Sequence, residues 1–150
     1  MAAYFVDSSA LVKRYVQEVG TAWIRGLTHR RTGHQSFLAR ITIVEVTSAV
    51  ARRRGGRTIT SAQASYFLSR FRKHVAGRYT IMEITPSLLA DAATLANRHD
   101  LRAYDAVQLA AALELHRISQ GGIVLVSADK DLNGAATAEG LTVDNPNTHP

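Results

Sequence analysis

Ala3-Tyr4-Phe5-Val6-Asp7-Ser8-Ser9 is the stretch whose reading decides the fold. Three β-forming residues, Tyr4, Phe5 and Val6, stop abruptly at a carboxylate and two hydroxyls. An uncharged apolar run bounded by polar residues is the pattern of a parallel strand buried on both faces. Asp7 then stands where the chain leaves the sheet. In an open α/β sheet, ligands bind outside the carboxyl ends of the strands. Ser8 or Ser9 is placed to cap a helix through Leu11, Val12, Tyr15 and Val16, and Gly20 is expected to break it.

Working outward, strand and helix signals alternate to the end of the chain. A helix from Thr21 to Arg30 puts Trp23, Ile24 and Leu27 on one face, and Ser36 to Ala39 reads as a second strand. Thr42-Ile43-Val44-Glu45 has the spacing of a capping box, with Val46, Ala49 and Val50 continuing that helix. Arg52-Arg53-Arg54-Gly55-Gly56-Arg57 is ordinary stop chemistry. Thr60 opens a helix whose Ala64, Phe67, Leu68, Phe71 and Val75 follow the helical apolar period. Tyr79 to Ile84 reads as a third strand, and Thr85-Pro86 starts the next helix with a cap and a first-turn proline. A loop over residues 97–103 leads to Tyr104-Asp105 and an alanine-rich helix that Gly121-Gly122 is expected to end. Ile123-Val124-Leu125-Val126 is the most strand-like run, stopping at Ser127-Ala128-Asp129-Lys130-Asp131. A short helix to Glu139 and a strand over Leu141 to Val143 precede a polar tail. The alternation predicts an α/β fold, a three-layer α/β/α sandwich around a mostly parallel central sheet, with residues 1–150 as one domain.

Composition narrows the function classes. The 150 residues are 46% hydrophobic and 20% charged, which sets the chain apart from disordered proteins. The absence of cysteine rules out a disulfide scaffold and a thiolate metal site. No apolar run approaches a membrane span and the first residues lack signal-peptide order, so a soluble, cytoplasmic protein is expected. Eighteen Lys+Arg against twelve Asp+Glu leave a formal charge of +6, which favours polyanionic partners, nucleic acid first.

Against that basic background four acids share a topological property. Asp7 and Asp129 follow the ends of predicted parallel strands, while Glu45 and Asp105 fall in the first turns of predicted helices. Each has a purely local explanation: a cap for Asp7, the reciprocal half of a capping box for Glu45, the helix dipole for Asp105, a turn for Asp129 or Asp131. Taken together they would repel unless protonated or neutralised by a cation. Oxygen-only ligands suit Mg²⁺ or Mn²⁺ rather than zinc. A hard cation in an acidic pocket of a basic protein points to phosphodiester chemistry, where metal polarises the phosphate, generates hydroxide and stabilises the leaving oxygen.

These residues resemble a known family. Tyr4-Phe5-Val6-Asp7-Ser8-Ser9-Ala10-Leu11-Val12-Lys13 resembles the opening of a PIN domain. Ile43-Val44-Glu45-Val46 resembles its second acidic position, Leu101-Arg102-Ala103-Tyr104-Asp105-Ala106-Val107-Gln108-Leu109-Ala110 the third, and Val124-Leu125-Val126-Ser127-Ala128-Asp129 the fourth. In length, the chain is most similar to the VapC-type toxins of bacterial and archaeal toxin–antitoxin pairs. The resemblance implies a three-layer α/β/α fold and a Mg²⁺- or Mn²⁺-dependent endoribonuclease that cuts transfer or ribosomal RNA to stop translation. It also implies a homodimer and a small cognate antitoxin. Asp7, Glu45, Asp105 and Asp129 carry over as metal ligands, with Asp131 able to substitute for or assist Asp129. Ser9, and with it Ser127, would orient an acidic ligand through a hydrogen bond. His99-Asp100 stands where many relatives have a glycine-containing turn, a departure that touches the loop and not the ligand set.

Other features read two ways. Arg52, Arg53, Arg54 and Arg57 form either an RNA-backbone contact or a solvated helix end. His29, His34, His74 and His116 read as surface residues, and Tyr66, Phe67 and Phe71 as amphipathic core or a partner surface. Tyr104 either lines an RNA groove or packs. The main competing reading is a catalytically inactive PIN-like module that binds RNA or a partner. A phosphoryl-transfer enzyme of haloacid-dehalogenase type would need an aspartate at position 9, which is serine. A receiver-like domain would need an acidic pair before the first helix, which is not evident.

Overall fold

The buried run that opens the chain forms the centre of a five-stranded sheet in the order β3-β2-β1-β4-β5, with every neighbouring pair parallel. The computed structural model describes residues 2–120 and 122–150. The strands are β1 (Ala3–Val6), β2 (Gln35–Ala39), β3 (Thr80–Met82), β4 (Ile123–Val126) and β5 (Thr142–Asp144). The helices are α1 (Ser8–Tyr15), α2 (Thr21–Leu27), α3 (Ile41–Gly55), α4 (Ser61–Gly77), α5 (Pro86–His99), α6 (Ala103–Ile118) and α7 (Lys130–Ala138). In register, Phe5 lies opposite Phe37 on one side and Leu125 on the other.

Strand alternation builds the three layers. Phe5, Ala39 and Leu125 point to one face and pack with Leu95, Leu109, Ala111 and Leu132 from α5, α6 and α7. Val6, Leu38 and Val126 point to the other, against Leu11, Ile24, Val46 and Phe71 from α1 to α4. A third cluster of Val12, Val50 and Ala64 welds α1, α3 and α4. The α/β/α sandwich expected from the sequence is therefore present, with a sheet that is wholly parallel.

Several local expectations shift. The third strand contracts to Thr80–Met82 because Tyr79 turns inward, where its hydroxyl lies 2.6 Å from that of Tyr15. The last strand is Thr142–Asp144, one residue later than expected. Helix α1 ends at Tyr15, with Val16 already extended, and its cap is Asp7 rather than Ser8 or Ser9. Gly20 does not stop α1 but starts α2, at φ +88°. A Cβ there would meet the Pro146 carbonyl oxygen at 2.4 Å, so only glycine fits. The 42–45 capping box is absent: Thr42 is a buried residue inside α3, and the N-cap, Arg40, has no side-chain cap. A capping box does form at Thr60 and Gln63, at the start of α4. Helix α6 ends at Ile118; Gly121, half of the expected Gly121-Gly122 stop, lies outside the described residues. Asp100 takes the left-handed conformation, φ +54°, at the C-cap of α5, where glycine is usual and Asp is tolerated.

His74 is not a plain surface residue. Its Nδ1 lies 2.7 Å from the Tyr15 hydroxyl, and burial pushes its pKa down to about 4, helped by Arg78, Arg14 and Arg70. His34 accepts a hydrogen bond from the Ala2 amide and meets the edge of Tyr4. Phe71 is buried core, whereas Tyr66 is exposed. Among the described residues, no helix is long and apolar enough to cross a membrane.

Candidate active site

The parallel sheet brings the carboxyl ends of β1, β2 and β4 to one edge, and the predicted acids sit on the segments that leave or face it. Asp7 follows β1, and its amide donates to the Val126 carbonyl of β4 at 3.0 Å. Its carboxylate is 2% exposed. Three donors converge on Oδ2: the Ser9 amide at 3.1 Å, Ser9 Oγ at 2.5 Å and Ser127 Oγ at 3.3 Å. Ser9 Oγ also accepts from the Ala128 amide at 3.0 Å, and Ser127 Oγ from the Asp129 amide at 3.1 Å. The two serines thus tie the ends of β1 and β4 together and orient Asp7.

Glu45 lies two residues further into α3 than its sequence spacing indicates, because the cap is Arg40 and not Thr42, so it is not a first-turn acid. Its Oε1 accepts from Gln108 Nε2 of α6 at 2.6 Å, and the same nitrogen donates to Thr42 Oγ1 at 2.8 Å. Thr42 and Glu45 are therefore joined through the opposite helix layer and not through a cap. Asp105 does lie in the first turn of α6, and Asp129 caps α7 by accepting from the Leu132 amide at 2.9 Å.

The acids feel one another. Burial pushes Asp7 above the usual carboxylate range; Ser9 pulls it back and Asp105 raises it further. Glu45 is raised by burial, lowered by Gln108, and raised again by Asp7 and Asp105. Asp105 is raised by burial and by Asp129, against the opposing pull of Arg102. Asp131 is exposed and reaches Asp105 only through its field.

Two further residues belong to this site. Arg102, just before α6, donates Nε to Asp105 Oδ2 and Nη2 to Asp129 Oδ2, each at 3.0 Å. Gln108 is fully buried between α6 and α3. An Arg three residues before an Asp and a lone polar residue inside an apolar helix were the available signals, but neither names its partner. Among the described residues, no three His, Cys, Asp or Glu side chains are close enough as they stand to hold a metal ion. Arg102 is a cation that meets Asp105 and Asp129.

Beside the acids lies a cavity of about 340 Å³, lined by Glu45, Arg52, Arg102, Asp105 and the exposed Val44 and Tyr104. The arginines that follow do not share it. Arg53 pairs with Glu18, and Arg54 and Arg57 line a separate hollow with Thr60 and Gln63.

The family model that matches the chain is the PIN domain, over residues 4–137. No curated protein matches it. Solved structures share the fold. PAE2754 from Pyrobaculum aerophilum is 23% identical with a TM-score of 0.65, covering 98% of this chain and 91% of that one. VapC20 of Mycobacterium tuberculosis, a sarcin-ricin loop cleaving toxin, is 17% identical with a TM-score of 0.65, covering 98% and 99%. VapBC2 from Rickettsia felis, solved bound to a DNA fragment from its promoter, is 13% identical with a TM-score of 0.66, covering 95% and 98%. With a family match over most of its length and a wholly parallel sheet that gathers the acids at one edge, the chain belongs to the PIN domain family.

Proposed function

We propose that this protein is a metal-dependent endoribonuclease, the toxin of a toxin–antitoxin pair, cutting tRNA or rRNA to inhibit translation in the cytoplasm. One observation carries the reading: Asp7, Glu45 and Asp105 come from three separate elements to the carboxyl edge of the sheet, where Asp105 raises the proton affinity of Asp7 and both raise that of Glu45. Acids held in mutual repulsion form a site that a hard cation relieves.

The donor chemistry suits Mg²⁺ or Mn²⁺. The site is all oxygen, and the three donors on Asp7 all take Oδ2, none of them Oδ1. Asp7, Glu45, Asp105 and Asp129 are the residues that would hold the ion, with Asp131 at the rim. When bound, the metal supplies positive charge to the phosphate and acidifies water. The protein's own part is orientation: Ser9 and Ser127 hold Asp7, and Gln108 holds Glu45. Arg52 stands in the adjoining cavity, where an RNA phosphate would pass, and Tyr104 offers an exposed ring. A cognate antitoxin, in keeping with a toxin–antitoxin complex among the structural neighbours, and a homodimer, which rests on the family resemblance alone, are the partners that accompany this reading.

The second reading, an inactive PIN-like module that binds RNA or a partner, draws on the Arg102 bridge, which already neutralises two of the acids. Cleavage of total bacterial RNA with Mg²⁺ or Mn²⁺ against EDTA separates them. New ends that require the metal and vanish in Asp7→Asn establish the nuclease. RNA binding without metal-dependent ends establishes the module.

A further inference from the structure

Arg102 is held by two hydrogen bonds. Its side chain is 75% exposed, and it bridges Asp105 Oδ2 and Asp129 Oδ2 at 3.0 Å each. Nothing buries the guanidinium, so its departure uncovers no apolar surface. Its backbone is extended at the N-cap of α6 and its side chain caps nothing, so the helix does not depend on its position. The two oxygens it engages belong to acids assigned above to the metal. A guanidinium on those oxygens takes one lone pair from each and places a unit positive charge where a dication would come.

We propose that Arg102 and a divalent cation exclude one another at Asp105 and Asp129. Without the cation, Arg102 supplies the countercharge and holds α6 to the start of α7. When the cation binds, Arg102 is released into the adjoining cavity that it already lines with Arg52 and Tyr104, where its charge faces the path of an RNA phosphate. The inference rests on the metal reading of the four acids.

Calorimetric titration of Mn²⁺ into the full chain tests it, comparing wild type with Arg102→Gln. Removing one positive charge from beside a dication is expected to tighten Mn²⁺ binding about tenfold. Equal or weaker binding by a folded Arg102→Gln overturns the competition while leaving the metal site standing. Failure of both proteins to bind Mn²⁺ overturns the metal reading itself, and the competition with it. A second measurement needs no variant: the Arg102 Nε–H resonance of the wild type, followed while Mg²⁺ is added. It is expected to move from a hydrogen-bonded to a solvent-exposed position, in step with binding. A resonance that stays in place while Mg²⁺ binds overturns the exchange.

Discussion

Gln108 Nε2, buried in α6, lies 2.6 Å from Glu45 Oε1 of α3. This bond joins the two helical layers past the end of the sheet and sets the orientation of an acid that the site needs. Gln108→Leu keeps the volume and deletes the donor, leaving Glu45 and the buried Thr42 hydroxyl without it. The expected cost is about 1–3 kcal/mol in urea denaturation. Because Gln108 holds the Glu45 pKa down, the variant is also expected to titrate Glu45 at higher pH, read by carboxyl NMR. An unchanged Glu45 titration would show that the bond does not orient it.

Asp7→Asn is expected to abolish metal-dependent cleavage with the fold retained, since an amide oxygen still accepts from Ser9. It should also stabilise the metal-free protein at pH 7. Asp7 has a raised pKa in the folded state, so between its ordinary value and that raised value the native state binds more protons than the unfolded one. Stability then falls as pH rises through the window. Removing the charge is expected to raise Tm at pH 7 by about 2–4 °C per kcal/mol relieved, with little change near pH 4. A lower Tm in the variant at both pH values would sink this account.

His74 works in the opposite direction. Its folded pKa is about 4 against an ordinary histidine value of 6.5, so the unfolded chain takes up the proton first on acidification. Stability from neutral His74 is present above 6.5 and is lost as pH falls toward 4. His74→Gln, which can still meet the Tyr15 hydroxyl, is expected to flatten the stability–pH curve across that interval. Titration of the His74 ring by NMR near 6.5 would contradict the half-buried, neutral assignment.

Gly20→Ala places a Cβ 2.4 Å from the Pro146 carbonyl oxygen and forces a non-glycine residue to φ +88°. The expected loss is about 1–3 kcal/mol. Thermal unfolding of the variant checks it.

Arg52 shares the cavity beside the acids, while Arg54 and Arg57 line another hollow. Arg52→Ala is expected to lower RNA affinity and reduce the salt slope of binding by about one. Arg54→Ala and Arg57→Ala are expected to do less. Equal effects from all three would return the four arginines to a single binding stripe.

The central strands β1 and β4 and the positions of Asp7, Asp105 and Asp129 were legible because their signals are local: β1 and β4 are apolar runs, Asp7 and Asp129 stand just past their ends, and Asp105 opens the alanine-rich helix. Thr42-Glu45 misled for the complementary reason. A three-residue spacing is satisfied equally by a cap and by two side chains reaching the same buried amide, and only the packing of α6 against α3 distinguishes them. His74 misled likewise, since an exposed and a Tyr-bonded histidine are the same letter.

By itself the amino-acid sequence determined the layering and the parallel sheet and nominated the acids, because apolar periodicity and strand-end chemistry are encoded along the chain. Which acids feel one another, which oxygen of Asp7 the serines occupy, and that Arg102 bridges Asp105 to Asp129 were decided only by the tertiary structure. Those relations depend on distances between side chains up to 120 positions apart, and electrostatic energy follows separation in space, which residue order does not carry.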